Sequence, residues 1–147
     1  MIASAPSEDL GAGYVLHTRV PPLDDYLRLR PAAGMTPRSA RSATAGLPNT
    51  FVGAIVEKDG RTVGMGRVIG DGALFFQVVD IAVEPEHQGL GLGKAIMRRL
   101  MEELRAGISA EAYVSLIADG EAHRLYSQFG FEPTAPASIG MDLWAHP

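Results

Sequence analysis

The chain has 147 residues, 46% of them in the apolar AVILMFWYC set and 20% charged, with 17 acids against 13 bases for a formal net charge of -4. That length and balance fit one globular domain and exclude a second full domain, a disordered chain and wholesale nucleic-acid binding. The lack of cysteine excludes a disulfide framework, a thiolate metal cluster and a Cys nucleophile. No apolar run approaches the about 20 residues of a membrane span, and MIASAPSEDLGAG has neither the basic nor the apolar region of a leader, so no membrane is expected and the chain is read as cytoplasmic.

Residues 1–12 are small, polar and glycine-bearing and read as a flexible N-terminal tail, leaving 13–147 as a single domain. Tyr14 to Arg19 reads as a short strand. Pro21 and Pro22 with Asp24 and Asp25 open a helix that Pro31 and Gly34 interrupt. Thr36 and Pro37 form a second N-cap and start, for a short helix ending near Gly46. From Thr50 the pattern turns to β: Phe51–Lys58 and Thr62–Ile69 flank Asp59-Gly60, the strongest short hairpin signal. Gly70-Asp71-Gly72 then turns the chain into Leu74–Val83, nearly continuous in apolar residues, as suits a central strand covered on both faces.

Leu92, Ile96, Met97, Leu100, Met101 and Leu104 share one helical face, with Arg98, Arg99, Glu102 and Glu103 on the other. Tyr113–Ile117 is short and β-rich, so strand, helix and strand predict a parallel crossover. Ala122, Leu125, Tyr126 and Phe129 have the spacing of a short amphipathic helix stopped by Gly130. A final strand is expected around Ile139–Trp144.

Between the buried strand and the long helix lies Glu84-Pro85-Glu86-His87-Gln88-Gly89-Leu90-Gly91-Leu92-Gly93-Lys94. Glycines let the backbone approach a ligand, and a helix N-terminus offers unpaired N–H groups, so this loop suits a phosphate. A dinucleotide fingerprint would need Gly where Lys94 stands, and a P-loop would need Gly at Gln88 and Ser or Thr at Ala95. Neither fits.

What remains, Gln88-x-x-Gly91-x-Gly93 after Asp80-Ile81-Ala82-Val83-Glu84-Pro85, resembles the GNAT acyltransferase superfamily. A second resemblance follows at Asp119-Gly120-Glu121-Ala122-His123-Arg124-Leu125-Tyr126, ending on Gly130-Phe131. It implies an α/β GNAT fold: a mixed central β-sheet flanked by helices and splayed at the coenzyme A site. It also implies transfer of an acetyl group from acetyl-CoA, the co-substrate, directly to a small amine. Gln88, Gly89, Gly91, Gly93 and Lys94 would hold the pyrophosphate, and Ile81, Ala82 and Val83 would offer main-chain groups to pantetheine. Backbone N–H groups near Val83 would stabilise the thioester oxygen. Asp119 stands where the family has Asn, as a contact to pantetheine or as an N-cap for a helix starting near Gly120. Tyr126 would be the acid that protonates the departing thiolate.

The base is open. Relatives carry Glu or His at positions matching Gln77 and Val79, neither of which accepts a proton here. Asp80, Glu84 and water remain as candidates, and Asp80 alternates to the face opposite 77 and 79 unless a bulge intervenes. His87 reads as a solvated loop residue. His17, His87, His123 and His146 have no metal-ligand spacing, so no metal is expected. Arg30 or Arg38, in the region that covers the acceptor site in this family, would meet an anionic group on the substrate. A homodimer is a common family arrangement. The rival reading is an acyl-CoA-binding module without turnover.

Overall fold

The computed structural model describes residues 5–146. Six strands form one sheet in the order β1-β2-β3-β4-β5-β6: Glu8–Gly11, Tyr14–His17, Val52–Lys58, Arg61–Gly70, Phe75–Val83 and Tyr113–Ser115. The first five pair antiparallel, and β5 and β6 pair parallel through Phe75–Gln77 and Tyr113–Ser115. Beyond Gln77 the two strands part, because β6 ends at Ser115 while β5 runs on to Val83. The helices are α1 (Leu23–Ala32), α2 (Ala40–Gly46), α3 (Leu92–Gly107) and α4 (His123–Ser127).

The β3–β4 hairpin closes at Asp59 and Gly60, whose φ angles of 51° and 78° are those of a type I′ turn. The next turn is held by Asp71, whose Oδ1 accepts from the backbone N–H groups of Ala73, Leu74 and Phe75. These donors hold its carboxyl below the usual carboxylate range.

Helix α3 packs Leu92, Ile96, Met97, Leu100 and Leu104 onto one face of the sheet. Each such buried side chain contributes roughly 1.5–3 kcal/mol. Gly66 lets the helix lie close, since a Cβ there would stand 2.7 Å from Ile96 Cγ2 and 2.6 Å from Ile81 Cδ1. The opposite face packs Ile55, Met65 and Ala82 against Tyr26, Leu29, Ala43 and Leu47 from the α1–α2 side.

Several expectations change. Glu8–Gly11, placed in the tail, is an edge strand: Glu8 pairs with Leu16, Asp9 with Val15, and Glu8 also meets Arg98 and Arg99 on α3 at 2.5 Å and 3.0 Å. Residues 1–4 lie outside the described residues. The second helix is capped by Ser39, whose Oγ accepts from Ser42 N–H, and Thr36 instead accepts two hydrogen bonds from Arg30. Arg99 is buried on α3, its guanidinium donating to Thr18 Oγ1 at 2.6 Å and paired with Glu8. No strand forms at Ile139–Trp144. An alternating apolar pattern makes a strand only where a backbone ladder accepts it, and here Ile139, Met141 and Leu143 stay exposed while Trp144 lies over the Arg38 guanidinium, 5.0 Å from its ring centre.

Candidate active site

Strand β5 carries a bulge: Met65 faces Ala82 and Arg67 faces Val79, so Asp80 and Ile81 together oppose Gly66. Asp80 adopts φ +59°, a left-handed conformation that Asp tolerates better than most residues. The bulge resets the alternation. Phe76 and Val78 face α3 before it, and Ile81 and Val83 face α3 after it, so Asp80 and Ala82 turn to the α1–α2 face. Asp80 therefore shares the face of Gln77 and Val79, the condition that the sequence left open.

Once there, Asp80 is fully engaged. Its carboxylate is buried between the guanidinium groups of Arg30 and Arg67 and accepts from the Tyr26 hydroxyl at 3.1 Å. Burial and the Asp80 charge push the Tyr26 hydroxyl above its ordinary pKa. Arg30, expected to contact substrate, is buried in this cluster and also donates two hydrogen bonds to Thr36, from Nε to its C=O and from Nη2 to its Oγ1. Glu84, the other candidate carboxylate, is buried and paired with Arg28 and Arg61. Both carboxylates thus strap α1 and β4 to the end of β5.

The glycine loop stands where β5 leaves the sheet. Gly89 and Gly91 have φ of 78° and 81°, and a Cβ on either would meet nothing within 4 Å, so their backbone lies bare. Gly91 is the N-cap of α3 with no side-chain cap, and the helix's first bond is Ala95 N–H to Gly91 C=O. The preceding N–H groups are the orphan donors of the first turn, carrying the positive end of a 16-residue helix. Gln88 uses its side chain to brace the loop, Nε2 donating to Val83 C=O at 2.9 Å. His87 is half-buried rather than solvated, its Nδ1 2.7 Å from the Tyr14 hydroxyl.

Two cavities meet at this end of the sheet. One, of about 410 Å³, is lined by Ile81, Val83, Gln88, Gly89, Gly91 and Gly93, and closed by Leu125 and Tyr126. This brings together most of the expected coenzyme-binding residues. Lys94 and Asp119 are exposed and do not line it, and the Ala82 side chain points to the opposite face. The other cavity, of about 620 Å³, runs from Gln77 and Ser115 to Phe131 and Met141. Tyr126 lines both.

Tyr126 is half-buried, and desolvation first, then the negative charge of Asp119, pushes its hydroxyl above the ordinary value of 10.0. Across neutral pH it keeps its proton. Asp119 does not cap α4, which begins at His123 behind Ala122 with no side-chain cap. One residue passed over in the sequence is His123, one helical turn before Tyr126 and on the wall of the larger cavity. Its Nδ1 lies 3.3 Å from Gly120 C=O. A carbonyl only accepts, so Nδ1 carries the hydrogen and Nε2 of the neutral ring carries the lone pair. In sequence His123 is one of four scattered histidines; the fold adds the cavity that it shares with Tyr126.

A family model described as Acetyltransferase (GNAT) domain matches residues 49–133, more than half of the chain. The chain belongs to the GNAT acetyltransferase family. Acetyltransferases of this family are acyltransferases that generally use acetyl-CoA. The chain is similar to a Staphylococcus aureus protein of unknown function described as a probable acetyltransferase, with 43% identity and a TM-score of 0.85 over 89% of this chain and 98% of that one. A GNAT family acetyltransferase from Streptococcus pneumoniae superposes with a TM-score of 0.72 at 25% identity, over 89% of this chain and 96% of that one. Among curated proteins, the rice chloroplastic serotonin N-acetyltransferase 2 is 41% identical over 86 residues, 58% of this chain. A soybean protein named histone acetyltransferase is 33% identical over 55% of this chain. The matched stretches span only 42% and 34% of those two relatives.

Proposed function

We propose that this GNAT enzyme moves the acetyl group of acetyl-CoA directly to a small primary amine. The observation that carries the reading is Tyr126 standing between a cavity walled by the glycine loop and a second cavity open to an acceptor. The bare backbone of Gly89 and Gly91 and the uncapped first turn of α3 fit a pyrophosphate, which needs close approach and N–H donors. Acetyl-CoA supplies a thioester whose carbonyl carbon takes the amine nitrogen while the C–S bond breaks. Tyr126 gives its hydroxyl proton to the departing sulfur, a task its raised pKa suits because the acid stays protonated. The amine gives its proton to Nε2 of His123, which faces the same cavity as Tyr126. Asp80 and Glu84, saturated by arginines, serve as anchors rather than bases.

Acceptor names among the relatives divide between a small amine and a protein, so they do not choose for this chain. The test is Tyr126→Phe, which removes one hydroxyl and leaves the ring packed against the core on the α3 face. The expected outcome is a kcat lower by roughly 10²- to 10⁴-fold with KM for acetyl-CoA nearly unchanged, because the contact is made in the transition state. A variant that turns over within about twofold of the parent makes Tyr126 a packing residue. An acyl-CoA-binding module instead predicts coenzyme A binding with no thiol released by any amine.

A further inference from the structure

The chemistry of the larger cavity narrows the acceptor. Leu116, Ile117, Phe131, Pro133, Ile139 and Met141 give it apolar walls. Three of these stand largely in water, Ile117 at 57%, Ile139 at 72% and Met141 at 86% exposure, although they line a concave space. Apolar side chains held open inside a cavity gain by covering, and what covers them must reach Tyr126. The charges are one-sided. Glu132 is the only carboxylate among the lining residues, His123 is the one imidazole, and no Lys or Arg lines the space. An acceptor carrying a carboxylate or phosphate would place its anion beside Glu132 with no cation to meet it. A polyamine would lay further ammonium groups along apolar walls, which costs their hydration.

We infer that the acceptor is a monoamine on an apolar body, an aryl- or alkyl-substituted primary amine, seated with its body against Ile117, Ile139 and Met141. Its ammonium arrives under the attraction of Glu132 and loses its proton to Nε2 of His123 before nitrogen attacks. This rests on the acetyl-transfer reading and adds the substrate class to it. The volume, about 620 Å³, lies within the range of pockets that enclose small organic ligands.

The experiment follows thiol release from acetyl-CoA with n-propyl- to n-hexylamine, 2-phenylethylamine, spermidine, glycine and a peptide with a free N-terminus. Alongside it, calorimetry titrates 2-phenylethylamine into the protein saturated with coenzyme A. Each buried methylene should raise kcat/KM by about fourfold, the equivalent of roughly 0.8 kcal/mol. 2-Phenylethylamine should exceed glycine and spermidine by about a hundredfold, since an unpaired anion or extra cation is penalised several times more than a lost methylene. Ile117→Asp, at an exposed site where folding tolerates a polar group, should weaken both turnover and calorimetric binding of 2-phenylethylamine by about tenfold or more. A flat alkyl series, a preference for spermidine, glycine or the peptide, or unchanged binding by Ile117→Asp overturns the inference while leaving acetyl transfer standing. No thiol release with any amine, in protein that binds coenzyme A, overturns acetyl transfer itself and this inference with it.

Discussion

The two faces of the sheet are held by different physics. On the α3 face, Val56, Val63, Phe76, Ile96 and Leu100 form a dry apolar layer, and the loop at its end presents bare backbone at Gly89 and Gly91. On the α1 face, apolar packing is interrupted by buried charge: Asp80 between Arg30 and Arg67, and Glu84 between Arg28 and Arg61. The contrast teaches where each kind of force is useful. Apolar packing holds a helix at the right height and tolerates small shifts, whereas an ion pair with a fixed fork geometry pins one strand residue in one conformation. The pinned residue here is Asp80, whose left-handed φ makes the bulge that aims Ile81 and Val83 at the cavity walled by the glycine loop.

The largest effect on stability should come from removing that anchor. Asp80→Asn leaves Arg30 and Arg67 buried, with side-chain exposures of 7% and 10%, and without their counter-charge. Losing one partner of a buried pair costs about 3–5 kcal/mol, to be read from the denaturation midpoint. If Asp80 were instead the base, the variant would keep its stability and lose turnover. Equal stability of variant and parent would erase the distinction between the two faces.

That anchor is also where the sequence was least informative. The Asp59-Gly60 hairpin, the apolar stripe of α3 and the glycine turn before it each come from local rules, namely turn dihedrals, period and glycine content, and the structure forms all three, although Arg99, read on the solvent face of α3, is buried. The bulge depends on three residues from α1 and β4 converging on an Asp in a conformation more often left to Gly, which no spacing encodes. Strand β1 was missed for a related reason: Glu-Asp-Leu-Gly has no apolar alternation, and its place is set by backbone pairing and by Arg98 and Arg99 across 90 residues. Ile139–Trp144 shows the converse, a strand pattern with no ladder to join.

A middle-sized effect should fall on the α3 face. Gly91→Val meets no neighbour within 4 Å, so it should fold, yet it forces a β-branched residue to φ +81° at a cost of about 1–2 kcal/mol. Coenzyme A affinity should fall about tenfold or more, as the bare N–H groups lose close approach at roughly 1.5–3 kcal/mol for a charged partner. Calorimetry with folded protein checks this. An unchanged affinity would mean that the coenzyme does not rest on this loop and that the backbone face is only a turn.

The smallest effect sharpens the comparison most, because it uses the same chemistry at different depth. Glu8 meets Arg98 and Arg99 as Asp80 meets Arg30 and Arg67, but its side chain is 37% exposed where that of Asp80 is 5%. The Arg98 hydrogen bond leads in holding the Glu8 carboxyl below its ordinary 4.5. A carboxyl lowered in the folded state contributes stability above the unfolded value, and that contribution fades as pH falls through the folded one. Glu8→Gln should therefore be less stable than the parent at pH 7, by about 0.2–1 kcal/mol, because Glu8 and Arg98 are solvated and the buried Arg99 keeps its Thr18 and Pro6 acceptors. The two proteins should converge in acid below the ordinary Glu range, and 1 M salt should narrow the gap at pH 7 because screening reaches an exposed pair. Denaturant midpoints across pH and salt measure both. A salt-insensitive loss as large as that of Asp80→Asn would show that Arg–carboxylate pairing is worth the same at the rim of α3 as in the buried cluster, and carboxylate burial would no longer set the two faces apart.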